Sequence, residues 1–168
     1  AALTFAALTF TALTFAALYI HAIGEYSTAR SLADEALSIA VEREDQHGIA
    51  FACQVLGRLM TSMSDYPAAN SHYETSLALY RKLGDSWRSA LSLAEMAHLA
   101  RDVENEAAAR RFQAESLSLW RSVGDPRGMT HGLGNAGVQC YREGDFPGAR
   151  RHLEETVVLA LRSDNRLV

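Results

Sequence analysis

Four short strings recur along this chain in a single register: GEYSTAR at 24–30, SDYPAAN at 64–70, ENEAAAR at 104–110 and GDFPGAR at 144–150, each 40 residues after the last. Self-similarity at a fixed interval of this size marks a stack of identical supersecondary units, because each copy offers the next the same surface to pack on. Tyr26, Tyr66, Glu106 and Phe146 are equivalent, and Ala29, Ala69, Ala109 and Ala149 are identical. Asp45, Asp85 and Asp125 share the spacing, with Gly84 and Gly124 before the later two. The apolar pairs Leu37/Ile39, Leu77/Leu79, Leu117/Leu119 and Val157/Leu159 repeat in step.

Each period reads as two helices. In the second, the spacing of Cys53, Leu56, Gly57 and Met60 predicts one buried helical face over about 48–63. Ser64-Asp65-Tyr66-Pro67 interrupts it, with Asp65 suited to cap the next helix and Pro67 to its first turn. That helix continues to about Lys82 with Ala69, Tyr73, Leu77 and Tyr80 inward. Gly84-Asp85 ends it, the glycine supplying a left-handed residue. The same punctuation returns at Gly124-Asp125-Pro126 and Gly144-Asp145. Turns this short make paired helices antiparallel neighbours.

These features resemble the tetratricopeptide repeat. That family sets a Leu-Gly pair and small residues where helices cross closely. Leu56-Gly57 and Ala136-Gly137 match the pair, with Ala16-Ala17 and Met96-Ala97 in its place elsewhere. The alanine of the second helix falls on Ala29, Ala69, Ala109 and Ala149, and the small residue further along it on Ala36, Ser76, Ser116 and Thr156. Small side chains there let helix axes approach to about 8–10 Å. The resemblance spans residues 9–165 and implies an all-α, right-handed superhelical solenoid of four stacked antiparallel hairpins. The period exceeds the family's usual spacing of about 34, and Val41, Arg81, Arg121 and Leu161 stand where the family has a late proline. This longer form, with SLALYRKLGD and SLSLWRSVGD, is similar to the repeats in sensor arms of large bacterial transcription regulators and to those of eukaryotic spindle-orientation adaptors.

The expected organisation is one repeat domain over 1–168, with units at about 9–45, 46–85, 86–125 and 126–165. Residues 1–24 hold no Asp, Glu, Lys or Arg. The segment lacks the basic start of a secretory signal, and its threonines and His21 dilute any membrane span. A five-residue repeat turns Leu and Phe to all sides of a helix. Three readings therefore stay open for it: an inner helix under more protein, a membrane or partner contact, or a low-complexity stretch at 1–15 foreign to the native chain. No polar cap follows the fourth unit, although solenoids normally need one. The array is thus expected to continue in a longer protein or to self-associate through its uncapped ends.

Sequence motifs for catalysis are absent. Nothing matches GxSxG, HExxH or a Gly-rich loop followed by Lys-Ser or Lys-Thr. His131 to Gly137 contains a formal GxGxxG, but inside a first helix without the strand a dinucleotide site requires. Its glycines read as close-packing positions that weaken the helix by roughly 1 kcal/mol each. His47, His72, His98, His131 and His152 are scattered without zinc-ligand spacing. Cys53 and Cys140 read as small hydrophobes, and so small a number favours a reducing compartment, the cytoplasm. Trp87 and Trp120 read as packing residues near the loops, with a partner contact as the alternative. A net charge of −4 argues against a nucleic-acid binder, and no membrane association is expected.

The resemblance implies a partner in a concave groove lined by first helices. Its groove positions fall on Gln54, Arg58, Thr61, His98, Arg101, His131, Tyr141 and Arg142. Gln54, Arg58 and His98 replace the Lys and Asn of the family's carboxylate clamp, so chaperone tails are not implied. Arg58, Arg101 and Arg142 favour an acidic or mixed peptide. The expected function is a non-catalytic protein–protein interaction scaffold without cofactor or metal, binding a protein or peptide as part of a bacterial regulatory or signalling protein. The alternative is a sensor arm for a small molecule or peptide.

Overall fold

The computed structural model describes residues 2–164, which form eight helices and no strand. These are α1 (Ala2–Ala22), α2 (Tyr26–Glu42), α3 (Gln46–Ser62), α4 (Tyr66–Lys82), α5 (Ser86–Asp102), α6 (Glu106–Val123), α7 (Pro126–Arg142) and α8 (Phe146–Asp164). The chain divides between Asp85 and Ser86 into two compact units. The first holds the hairpins α1/α2 and α3/α4, the second α5/α6 and α7/α8. Both are all-α, as the repeat requires.

The backbone repeats twice as often as the sequence strings do. A left-handed residue ends each helix at Gly24, Glu44, Ser64, Gly84, Glu104, Gly124 and Gly144. Six of these turns close by the same two bonds, as at Glu44 N–H to Val41 O (3.0 Å) and Asp45 N–H to Ala40 O (2.9 Å). This is the paired arrangement that satisfies the last carbonyls of a helix. At the seventh, α6 runs one residue longer and Gly124 N–H donates to Trp120 O instead, at 3.0 Å. Glu44, Ser64 and Glu104 accept a positive φ that costs a side-chain-bearing residue roughly 1 kcal/mol or more. The turn bonds hold them there.

The residue after each turn starts the next helix. Asp65 accepts from Ala68 N–H at 3.2 Å, as its sequence suggests, with Pro67 in the first turn. Asp45, Asn105, Asp125 and Asp145 do the same for Gly48, Ala108, Gly128 and Gly148. Such a cap contributes about 1 kcal/mol.

In the first unit, Ala17, Ala29, Ala36, Ala50, Leu56, Tyr73 and Tyr80 are all at most 1% exposed. Gly57 is the close-packing position there, since a Cβ on it would lie 2.6 Å from the Tyr73 ring. In the second unit the core includes Leu93, Ala97, Trp120 and Leu133. Ser116 Oγ donates to Ala90 O at 2.7 Å, so α6 ties itself to α5 at the small-residue crossing.

The N-terminal segment is the helix α1, and it turns its small side inward. Thr14 and Ala17 are buried, whereas Leu8, Phe15, Tyr19 and Ile23 are each more than half exposed. Thr11 and Thr14 donate to Ala7 O and Phe10 O within the helix. Among the described residues no helix is long and apolar enough to cross a membrane. The GxGxxG string lies inside continuous α7, where Gly132 faces Leu117 and Trp120 of α6. That is helix packing, with no strand before it.

Candidate partner-binding groove

The groove positions fall into two groups, one in each unit. In the first unit, Arg58 on α3 is exposed, and Thr61 is half-buried with its hydroxyl bonded to Gly57 O at 2.9 Å. His21 of α1 stands beside them, its Nε2 2.8 Å from Ser62 Oγ. Burial, and then the Arg58 charge, lower the His21 pKa. Gln54 is floor rather than rim, 4% exposed, and its Nε2 has no hydrogen-bond partner among the described residues. A buried amide donor left unpaired costs about 1–3 kcal/mol.

The second unit gathers more of the set. His98 and Arg101 on α5 share a cavity of about 100 Å³ with Asn135, Val138, Gln139 and Arg142 on α7. Arg101 Nη2 lies 2.7 Å from His98 Nδ1. Arginine can only donate, so Nδ1 accepts and the neutral ring carries its proton on Nε2. Asn135 Nδ2 lies 3.4 Å from His98 Nε2 and 3.5 Å from His131 Nε2. The two histidine rings are 6.4 Å apart.

Electrostatics follow from this crowding. The His98 pKa is lowered by burial first and then by Arg101, His131 and Arg142, with Asp102 opposing. Arg101 is lowered by burial and by Arg142, against Glu106 and Asp102. Gln139 donates from Nε2 to Glu106 at 2.9 Å and to Glu143 at 2.6 Å, and Glu143 also pairs with Arg110 at 2.7 Å. Glu106 and Glu143 are thus engaged along the edge of the cavity, and Asp102 is the remaining acid near Arg101 and His98. Two guanidinium groups with mutual repulsion are left around a small opening, an arrangement that an anion would relieve.

Tyr141 is not part of this cluster. It is 65% exposed and meets Phe146 edge-on at 5.7 Å, in an apolar depression that continues along α8 through Leu153, Val157 and Val158. Sequence reasoning missed Asn135 and Gln139. Gln139 was legible as a polar residue in the register where Tyr19, Leu59 and Leu99 are apolar. Asn135 was legible as the residue one turn after His131.

The tryptophans form a second recess. Trp87 and Trp120 meet edge-on with centroids 5.3 Å apart. Trp120 is buried at 2% exposure, while Trp87 is 42% exposed and donates from Nε1 to Asp125 Oδ2 at 3.0 Å. That carboxylate also caps α7. The recess encloses about 340 Å³ and adds Leu91, Arg127, Gly128 and His131.

Both cysteines are free thiols, and burial pushes Cys53 up to about 11, so it stays protonated and unreactive at neutral pH. Among the described residues no group of three or more His, Cys, Asp or Glu side chains is placed to hold a metal ion.

Residues 8–82 match the tetratricopeptide repeat family. No curated protein matches the sequence. Among solved structures, BtubC (BKLC) from P. vanneervenii is similar at a TM-score of 0.80 and 16% identity, over 92% of this chain and 64% of that one. The apo form of RapI is similar at a TM-score of 0.80 and 13% identity, over 94% of this chain and 57% of that one. The chain therefore spans less than two thirds of the length of either structure, and the likeness is one of fold: a helical repeat solenoid.

Proposed function

We propose that this chain, which carries tetratricopeptide repeats in residues 8–82, is a non-catalytic scaffold that binds an acidic peptide segment of a protein partner. Arg101 and Arg142 around the cavity beside His98 carry the reading. A carboxylate entering there meets two preformed donors whose repulsion it relieves, and the contacts require no bond-making chemistry. On the first unit, taken by itself, Arg58 and Thr61 form a second candidate contact surface, with Gln54 as an unpaired donor at its floor. The scaffold would work in the cytoplasm, as part of a bacterial regulatory or signalling protein.

The test is a titration of Glu/Asp-rich peptides, with Lys-rich peptides of the same length as the control. The acidic set binds, salt weakens it, and Arg101→Ala with Arg142→Ala costs about tenfold in Kd, near 1.4 kcal/mol. Equal binding of both peptide sets, or no effect of the double substitution, contradicts the reading.

A second reading rests on the tryptophan recess. Its volume of about 340 Å³ falls in the range of small-molecule pockets, about 300–1,000 Å³. A sensor arm would place a small ligand against Trp87 and shift a conformational equilibrium. A metabolite that raises the melting temperature of the intact chain but not of a Trp87→Ala variant favours this reading over the first.

A further inference from the structure

The two openings of the second unit lie on the same pair of helices. On α5, Trp87, Leu91, His98 and Arg101 are exposed or half-buried, and on α7 so are Arg127, His131, Asn135, Val138 and Arg142. Steps of three, four or seven residues keep side chains on one face of a helix, so each of these sets forms an accessible stripe. Glu95, the acid on the α5 stripe, is half-buried and already engaged.

The stripes meet at both ends. Where the helices start, Trp87 and Leu91 share the recess of about 340 Å³ with Arg127 and His131. Where they finish, His98 and Arg101 share the cavity of about 100 Å³ with Val138 and Arg142. Between the two, the Asn135 amide lies 3.4 Å from His98 Nε2 and 3.5 Å from His131 Nε2. His131 lines the recess and Asn135 the cavity, so the openings adjoin through that contact.

The chemistry changes from one end of this furrow to the other. Trp87, Leu91 and Trp120 give the recess two indole rings and an aliphatic wall, and Trp87 is 42% exposed. Aromatic surface around a hollow gains most when another apolar group covers it. Arg101 and Arg142 at the other end favour an anion. A purely acidic peptide would satisfy only that second end. Leu91 and Arg101 are ten residues apart on α5, and His131 and Arg142 eleven apart on α7. At a helical rise of about 1.5 Å per residue, either separation is about 15 Å. An extended chain covers it in about four or five residues.

We propose that the partner segment lies extended along the α5/α7 furrow and is held by two anchors about four or five residues apart. One is a large apolar or aromatic side chain in the Trp87 recess; the other is a carboxylate at Arg101 and Arg142. This rests on the acidic-peptide reading above and adds to it a pattern that selects among acidic sequences. The recess is then the apolar subsite of the same peptide site.

Calorimetric titration of the intact chain with peptides of one length and composition tests this. Each peptide carries a single Phe and an adjacent pair of Glu, separated by about one, five or nine residues and ordered in both chain directions. In one direction, the peptide with the middle separation binds about tenfold tighter than the other two. Replacing its Phe by Ser costs the same factor. On a Trp87→Ala variant that replacement costs nothing, because the subsite is gone. Circular dichroism checks that the variant keeps its helix content, and the peptide series stands without it. Acidic peptides that bind equally at every separation overturn the two-anchor site and leave the acidic-peptide reading standing. Peptides that all fail to bind overturn both. Tightest binding at the longest separation, or a Phe-to-Ser cost that persists on Trp87→Ala, overturns the two-anchor site as well, since the aromatic group would then rest elsewhere.

Discussion

The second and fourth hairpins sit two periods apart and use one register for different ends. In α3/α4, Gly57 admits the Tyr73 ring, which is 1% exposed, and α3 buries ten residues along its length. In α7/α8 the same register holds Gly137 and Leu153, but Leu153 is 43% exposed and α7 buries half as many residues. An identical backbone therefore serves as core in one place and as accessible surface in the other. Side-chain volume and the two extra glycines of α7 separate them, while the aspartate caps Asp45/Asp125 and Asp65/Asp145 are the same.

The largest difference should come from truncating the two register mates. Tyr73→Ala removes a fully buried ring and should cost about 3–5 kcal/mol, whereas Leu153→Ala should cost about 1 kcal/mol at most for a half-exposed side chain. Urea unfolding midpoints check this, and equal losses would break the comparison. A smaller contrast is expected at the glycines. Gly57→Ala forces a methyl into the rigid Tyr73 ring and should destabilise by about 1–3 kcal/mol. At Gly137 the methyl would meet Leu153 Cγ at 2.9 Å and Ala149 O at 3.4 Å, against a side chain that is itself 43% exposed. There the gain in helix propensity, near 1 kcal/mol, should offset the contact and leave the midpoint almost unchanged.

The smallest effect is one of pH. The folded-state pKa of His98 lies below its ordinary value because of burial and its cationic neighbours. The unfolded chain therefore binds the proton more readily, and stability falls as pH drops from about 6.5 through the lowered value. Once protonated, His98 adds a third positive charge beside Arg101 and Arg142. Acidic-peptide affinity should rise over the same window in which stability declines. Titrations and urea curves at pH 7.5 and 5.5, with His98→Asn as the control, check both directions.

Much of the architecture was legible in the residues. The 40-residue strings place the break inside each hairpin, the Asp45, Asp85 and Asp125 set places the break between hairpins, and Asp65, Pro67, Gly84, Gly124 and Gly144 do what their types suggest. What the residues did not disclose is that Glu44, Ser64 and Glu104 take the left-handed turn position that glycine holds at the other breaks. Their left-handed backbone comes from bonds between neighbouring peptide groups. For the candidate site the sequence offered a set of positions but not their grouping. His98, Arg101 and Arg142 converge because α5 and α7 bring them to one cavity, whereas Tyr141 turns to Phe146 and Gln54 sinks into the floor. Residues on one helix face share a periodicity whether they end up on its rim or beneath it, so spacing alone could not separate them. The α1 segment shows the same limit: its five-residue repeat fits every side of a helix, and packing selected the Thr14 and Ala17 side.

The most direct measurement is amide hydrogen exchange across the whole chain, with and without a bound Glu/Asp-rich peptide. Protection is predicted to rise around 98–102 of α5 and 135–142 of α7, and to stay unchanged along α8. Protection confined to α8 or to the turns around Trp87, or none anywhere, would contradict a scaffold whose partner is held by Arg101 and Arg142.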